Sequence, residues 1–361
     1  MSSTAVNISP FKYLDAYQKE DADRFFGRER ETAQLYNAVH ASNLVLVYGA
    51  SGTGKSSLVN CGLGNQFVDS DWLPVFVRRG TDLNRSLDRT LASAMNGDAP
   101  ADDLAVGERL RALYLVHYRP IYLIFDQFEE LFILGTPAEQ RLFYATVRQF
   151  LDASAGCKLL IIIREEYIAY LSDFEKAVPS LFDNRLRIEK LNDASLARII
   201  VGTAQAAGIR IDEPRVTVPA ILENIRDRRS GVDLANLQIY LDRLWRADLE
   251  RRGTTSTAAA TFDPALTERV GRLSEVLRDF LTNHLKAIEQ GLKRQRGVTK
   301  PEGIPLEILF ALVTEDGTKR NLDVRSIVEA LPRNREIEES HVRFCLEEFE
   351  RLRLVRTLAV A

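Results

Sequence analysis

The residues with the most specific chemistry lie in one short stretch, which runs Gly-Ala-Ser-Gly-Thr-Gly-Lys-Ser from Gly49 to Ser56. This spacing fits G-x-x-x-x-G-K-S/T, the consensus of a phosphate-binding loop, or P-loop. The glycines let the backbone turn tightly, so that successive N–H groups point at phosphate oxygens. Lys55 would reach the β- and γ-phosphates of a nucleotide, and the Ser56 hydroxyl would hold Mg²⁺. We predict a phosphate site made by Gly49, Ala50, Ser51, Gly52, Thr53, Gly54, Lys55, Ser56 and Ser57.

The segments on either side of this loop have the character needed to position it. Asn43–Tyr48 is a short apolar run of strand-forming residues, and helix-forming residues follow from Leu58. A strand before and a helix after are the context that a P-loop requires. The positive end of that helix would add to the anion site. The alternative is a glycine-rich turn that binds no ligand.

Carboxylates follow a second apolar run, Ile121–Phe125, which we predict to be a strand. Asp126 has the place of the carboxylate that organises Mg²⁺ in P-loop enzymes, usually through water. Glu129 or Glu130 could polarise an attacking water, or both could merely favour the start of a helix. The pattern predicts Mg²⁺ ligands at Ser56 and Asp126, and catalytic roles for Lys55, Asp126, Glu129 and Glu130.

Arg164 directly follows a third apolar run, Lys158–Ile163. The carboxyl end of a central parallel strand is where ligands bind in open α/β sheets. We therefore predict that Arg164 is catalytic and senses the γ-phosphate. The alternative is a surface arginine that pairs with Glu165 or Glu166.

The order of the apolar runs predicts an α/β fold. Further strands are expected at Trp72–Arg78 and Arg185–Glu189, with helices between the strands. This alternation indicates a mostly parallel sheet that is covered on both faces. From Leu191 the strand pattern stops, which predicts an all-α helical bundle that includes one long helix at Thr267–Lys293.

The last part of the chain has the element order of a winged helix. Helices are predicted at Ile304–Val313, Asp323–Ala330 and Glu338–Arg351, and a strand at Leu352–Ala359. A wing needs a hairpin, so we expect the winged helix to be incomplete at Ala361. The predicted divisions are an N-terminal arm at 1–42, a P-loop domain at 43–190, a helical bundle at 191–300 and the winged helix at 301–361.

Composition excludes several classes of protein. The 361 residues are 45% hydrophobic, and the net charge of −3 gives no overall attraction to nucleic acid or anionic membranes. The cysteines at 61, 157 and 345 are scattered, which argues for a reducing compartment and against structural zinc. A signal-peptide block and a run long enough to span a bilayer are both missing. We therefore predict a cytoplasmic protein without a membrane partner.

Four boxes together resemble the STAND class of P-loop NTPases (signal-transduction ATPases with numerous domains), and within it the bacterial novel STAND NTPases. The resemblance runs from about Ser9 to the chain end, and Arg164 falls at the family's sensor-1 position. The boxes are Phe25-Phe26-Gly27-Arg28-Glu29, the P-loop, Asp126-Gln127-Phe128-Glu129-Glu130-Leu131-Phe132, and the stretch from Gly231 to Trp245.

The resemblance implies an ATP-driven molecular switch that rests with ADP and oligomerises on a trigger, in bacterial regulation, cell death or defence. Its ligands would be ATP, ADP and Mg²⁺, with slow hydrolysis and an unknown protein trigger or effector. Phe26, Gly27 and Arg28 would line the adenine side, and the bundle and winged helix would close over the nucleotide. Related families place Gly-x-Pro against the base. This chain has Gly231-Val232-Asp233, so only Gly231 carries over.

Two other functions stay open on the sequence. One is an ATP-dependent DNA-binding protein of the origin-binding type, which also joins a P-loop domain to a winged helix. Its groove-reading helix would be Glu338–Arg351, whose acidic residues at 347, 348 and 350 would repel phosphate, so we expect no DNA binding. The other is a nucleotide-binding scaffold without turnover, which only a hydrolysis measurement distinguishes.

Overall fold

The computed structural model of the chain describes residues 9–12, 15–95, 106–152, 156–227, 231–253, 259–313, 320, 322–332, 337–352 and 354–355. The described residues up to Val270 form one compact unit, and those from Gly271 onward form a second. The four-part division at 42, 190 and 300 stays a prediction. In the described ranges, no helix is long and apolar enough to cross a membrane.

The first unit is built on five parallel strands in the order β2-β3-β4-β1-β5, which confirms the predicted α/β class. Aliphatic residues dominate β1, β3 and β4, which lie between two helical layers and are almost wholly buried. Gly49 lies beside Arg164 and Val77 beside Phe125, so the carboxyl ends of β1 to β4 share one edge. The strands β1 to β5 are Leu44–Gly49, Leu73–Val77, Ile121–Phe125, Cys157–Arg164 and Arg185–Arg187.

Helices cover both faces of this sheet. Side chains alternate along β1, so Leu44 and Leu46 join the core on one face while Val45 and Val47 join the core on the other. Residues of α3, α4, α6 and α7 complete the first core, and residues of α1 complete the second. The helices α1 to α7 are Glu29–Ala41, Lys55–Ser57, Leu83–Ala94, Val106–His117, Glu130–Ile133, Pro137–Asp152 and Ser172–Ala177.

The expectation of an all-α region after Leu191 was wrong in one respect. A two-stranded parallel sheet, β6 (Arg210–Ile211) and β7 (Thr261–Phe262), lies among its helices. Strands of two residues carry no periodicity for a sequence pattern to reveal. The Thr261 N–H donates to the fully buried Asp248 at 3.2 Å, which ties β7 to a neighbouring helix. The helices α8 to α11 are Asp193–Ala206, Pro214–Ile225, Leu234–Arg252 and Pro264–Val270.

The predicted long helix Thr267–Lys293 is in fact two helices. The first, α11, ends at Val270, and α12 runs from Leu273 to Arg296. Gly271 between them has a φ of +72°, a left-handed conformation that cannot continue a right-handed helix. The boundary between the two compact units coincides with this break.

The second unit is helical in its described part. It comprises α12 and three shorter helices, which share a core containing Ile288, Ile308, Ile327 and Phe349. The predicted wing strand, Leu352–Ala359, falls largely on residues 353 and 356–361, which lie outside the described residues, so the winged helix remains a prediction. The helices α13 to α15 are Ile304–Ala311, Val324–Ala330 and Glu339–Arg351.

Candidate functional site

The predicted P-loop joins β1 to α2 at the carboxyl edge of the sheet. Gly52 and Gly54 have φ values of +74° and +83°, a region that favours glycine. A Cβ at Gly52 would lie 1.6 Å from an oxygen of Asp233, so the loop approaches the start of α10 more closely than a side chain would allow. After α2 the chain forms a π-helical turn at Leu58–Leu63 rather than the regular helix expected from the sequence.

Lys55 lies half-buried in this loop, and among the described residues no acidic side chain is in hydrogen-bond contact with its ammonium. Its Nζ donates to the carbonyl oxygens of Gly49 and Ala50, each at 2.8 Å. Burial lowers the pKa of the Lys55 ammonium, and the nearby carboxylate of Glu129 opposes that shift. A cation whose charge is penalised by burial gains from an anion placed beside it. The position therefore favours a phosphate ligand.

Asp126 follows β3 and faces the P-loop. Its Oδ1 accepts the Ser56 hydroxyl at 2.8 Å and the Gln127 N–H at 3.0 Å. Its Oδ2 accepts a forked pair of hydrogen bonds from Arg78, from Nε at 3.1 Å and Nη2 at 2.5 Å. Ser56 and Asp126, the two residues predicted to hold Mg²⁺, are therefore in direct contact. Arg78 was not singled out by any sequence pattern.

The donors at Ser56 and Asp126 fit a magnesium ion in kind. Both are hard oxygen ligands, which Mg²⁺ prefers. Within the described ranges, no group of three or more His, Cys, Asp or Glu side chains could hold a metal by itself. Mg²⁺ characteristically takes one or two protein ligands and completes its shell with substrate phosphates and water, so this sparse donor set agrees with that ion.

Glu129 and Arg164 face each other across the same edge. The Arg164 Nε lies 3.0 Å from Glu129 Oε1, and the Arg164 backbone N–H donates to Oε2 at 3.3 Å. Glu129 is buried and lines the cleft, whereas Glu130 begins α5 and is not part of the cleft wall. The alternative partner Glu165 pairs with Arg187 at 2.9 Å instead.

The residues predicted to line the adenine side, Phe26 to Arg28, contact different parts of the structure. A Cβ at Gly202 would lie 2.8 Å from the Phe26 ring, so that ring packs directly on α8. The Arg28 Nη2 donates to the carbonyl oxygens of Thr53 (2.7 Å) and Glu189 (2.8 Å). Arg28 therefore braces the P-loop against the chain after β5.

These residues surround a cleft of about 240 Å³. Of the residues predicted from the sequence, six are not part of the cleft wall: Gly27, Gly49, Ala50, Thr53, Glu130 and Gly231. The predicted residues that do line it are Phe26, Arg28, Ser51, Gly52, Gly54, Lys55, Ser56, Ser57, Asp126, Glu129 and Arg164.

Sequence reasoning missed two further parts of the wall. The first is the segment before the Phe-Phe-Gly box, where the Tyr17 N–H donates to the Ser57 Oγ at 3.1 Å. The second is the start of α10, where the resemblance implied that the helical bundle covers the nucleotide but did not name the wall residues Leu234 and Gln238. Burial raises the pKa of Tyr17 to about 12, so the hydroxyl remains neutral. The segment around Tyr17 is polar and has no periodicity that would have placed it over the P-loop.

Several solved structures share the fold. The ORC1 protein of Aeropyrum pernix, in complex with DNA, has 18% sequence identity and a TM-score of 0.52, and the match covers 91% of this chain and 84% of that one. The ORC2 protein of the same organism, in ADPNP–ADP complexes, has 14% identity and a TM-score of 0.52, with coverages of 97% and 98%. Its ADP form has 14% identity and a TM-score of 0.51, with coverages of 90% and 94%. These identities show the fold alone.

The family comparison is based on the sequence itself. No curated protein matches the chain. The Novel STAND NTPase 1 family, however, matches residues 10–359, nearly the whole length, including the P-loop and every cleft-lining residue. The chain belongs to the Novel STAND NTPase 1 family and is a P-loop NTPase.

Proposed function

We propose that this NTPase is an ATP/ADP-dependent switch that binds Mg-ATP, hydrolyses it slowly and thereby controls oligomerisation or signalling in regulation or defence. The observation that carries this proposal is the composition of the cleft. Its wall combines the P-loop with Tyr17 of the N-terminal segment and with Leu234 at the start of α10. A nucleotide there would contact three separate parts of the first unit.

The chain's own residues support each step of binding and turnover. The P-loop N–H groups and Lys55 would hold the phosphates, and Ser56 with Asp126 would hold Mg²⁺. The ion, when bound, would neutralise phosphate charge. Of the two glutamates predicted for this role, Glu129 lines the cleft and Glu130 does not, so we assign Glu129 the role of polarising water. Arg164, held by that carboxylate at 3.0 Å, would respond to a γ-phosphate.

The start of α10 is the element that a phosphate would disturb. The Leu234 N–H donates to the Gly52 carbonyl oxygen at 3.3 Å, and Asp233 caps α10 by accepting the Ala235 N–H at 2.8 Å. The Asp233 carboxylate thus lies directly against the loop that would hold the phosphates. A polyphosphate would repel this charge, and a ligand shifts a conformational equilibrium by its differential affinity for the two states.

The test combines nucleotide analysis with calorimetry and light scattering. Mass spectrometry of the purified chain should find bound ADP, and calorimetry should show ADP binding that Lys55→Ala largely abolishes. Lys176→Ala is the matched control, since Lys176 is exposed on α7 and the change removes the same charge. Light scattering should find a monomer with ADP. Wild-type affinity in Lys55→Ala, or assembly independent of nucleotide, would refute the switch.

DNA is not a ligand in this proposal, although the fold is shared with a DNA-bound ORC1 structure. The two arginines of α15 that would face a phosphate backbone are already paired. Arg343 contacts Glu339 at 3.3 Å, and Arg351 contacts Glu348 at 2.6 Å. The acidic partners would have to be displaced before DNA could bind.

A further inference from the structure

Arg78 contacts Asp126, the carboxylate assigned to Mg²⁺, and has no role in the binding and turnover steps proposed above. It is the first residue after β2, and its guanidinium forks onto Asp126 Oδ2 with contacts of 3.1 and 2.5 Å. Ser56 and Gln127 take the other oxygen. Both oxygens of the buried carboxylate are therefore engaged, and the arginine supplies the positive charge that balances it.

The forked contact and a metal ion would compete for the same negative charge. The guanidinium donates both hydrogen bonds to Oδ2, whereas Ser56, the other residue assigned to hold Mg²⁺, donates to Oδ1. A carboxylate whose charge is already balanced by a guanidinium gains less from a second cation, and a divalent ion close to that guanidinium would be repelled by it. Asp126 can therefore serve Arg78 or Mg²⁺ strongly, but not both at once.

The neighbouring residue fixes the backbone from which Arg78 reaches. Arg79 forms a buried, two-pronged ion pair with Glu139, with contacts of 2.9 and 2.7 Å. Glu139 also accepts the Leu83 N–H at 2.8 Å, which joins the end of β2 to α3. Because the ion pair with Glu139 holds Arg79 in place, a rearrangement at the end of β2 is confined to the Arg78 side chain.

The Arg78 side chain is exposed enough to move away from Asp126. It is 41% exposed, whereas the Asp126 side chain is 7% exposed. A long, half-exposed side chain can rotate into solvent and be hydrated there, while the buried carboxylate cannot follow it. The geometry thus provides both a bound position and an exit for the guanidinium.

We propose that Arg78 competes with Mg²⁺ for Asp126, neutralising the carboxylate while the metal is absent and swinging into solvent when it binds. The proposal rests on the proposed function, because it assumes that nucleotide and Mg²⁺ use this cleft. It makes Arg78 a positioning residue that sets the affinity for the metal. Nucleotide release would then be assisted by the return of Arg78 once the metal leaves.

The experiment measures ADP binding by calorimetry in EDTA and over a series of Mg²⁺ concentrations. The tightening factor is the dissociation constant of ADP in EDTA divided by that in Mg²⁺. Arg78→Ala should increase the tightening factor about five- to tenfold, as expected for loss of a partly exposed, forked ion pair. Arg78→Lys should lie between wild type and Arg78→Ala, because it keeps the charge but loses the fork. Arg85→Ala, an exposed charge loss on α3, should leave the factor unchanged.

The outcomes separate the two proposals. An unchanged or smaller tightening factor in Arg78→Ala, with ADP still bound by the wild type, would overturn the competition alone. Absence of ADP binding by the wild type in both EDTA and Mg²⁺ would refute the proposed function and this inference together. Thermal melting of each variant checks that the half-exposed side chain was removed without loss of the fold.

Discussion

Replacing Gly52 by alanine should destabilise the first unit for two separable reasons. The residue has a φ of +74°, and a left-handed conformation costs an L-residue about 1–2 kcal/mol. The new Cβ would also lie 1.6 Å from Asp233 Oδ2, so the carboxylate must move away from the α10 cap. Loss of an N-cap costs about 0.5–2 kcal/mol. The total is about 1.5–4 kcal/mol.

A matched control isolates the second contribution. Gly208 has a φ of +67°, and a Cβ there would meet no atom within 4 Å. Gly208→Ala therefore carries the backbone strain without a collision. Differential scanning calorimetry should show a melting temperature lowered by roughly 5–10 °C for Gly52→Ala, and by about half of that for Gly208→Ala.

A second substitution tests the identity of the colliding group. Asp233→Ser keeps a good capping residue but removes the oxygen that faces Gly52. In this background Gly52→Ala should cost no more than Gly208→Ala, which is an interaction energy of about 1 kcal/mol in the double-mutant cycle. If Gly52→Ala costs the same with Asp233 as with serine, the close approach of α10 to the P-loop is not present in solution.

Two further predictions concern turnover and DNA. Glu129→Gln should keep Mg-ATP binding and slow hydrolysis by about a hundredfold or more, because an amide cannot accept the proton of water. Glu130→Gln should turn over normally, since Glu130 is not part of the cleft wall. Equal rates of phosphate release in the two variants would refute the assignment. Fluorescence anisotropy should detect no salt-sensitive micromolar affinity for duplex DNA, because the arginines of α15 pair with glutamates of the same helix. Such an affinity would instead favour an origin-binding function.

Much of the candidate site is contiguous in the chain, and this is the part that local patterns predicted. The P-loop, its preceding strand and Asp126 after β3 are each determined by a few neighbouring residues. Apolar runs also predicted the parallel sheet, because strands buried on both faces cannot alternate with polar residues. Those two local patterns supplied Ser56 and Asp126, which the structure places in hydrogen-bond contact at 2.8 Å.

Other features depend on residues that are distant in the chain. Arg78 meets Asp126 because β2 and β3 are neighbours in parallel register. Asp233 meets Gly52 because α10 begins above the P-loop, and Tyr17 reaches Ser57 from a segment without periodicity. No local pattern specifies which distant surfaces will pack together, since packing is decided by the whole set of buried faces.

The sequence also could not decide between two neighbouring residues, Glu129 and Glu130. Both carboxylates follow the same strand, and their residue type and spacing are equally suited to the chemistry. The turn between them and β3 places Gln127 at a φ of +58°, after which Glu129 points at Arg164 while Glu130 starts α5. The sequence by itself determined that a P-loop site with an acidic strand end is present. Only the tertiary structure decided which carboxylate faces it, because a single backbone rotation exchanges the directions of adjacent side chains.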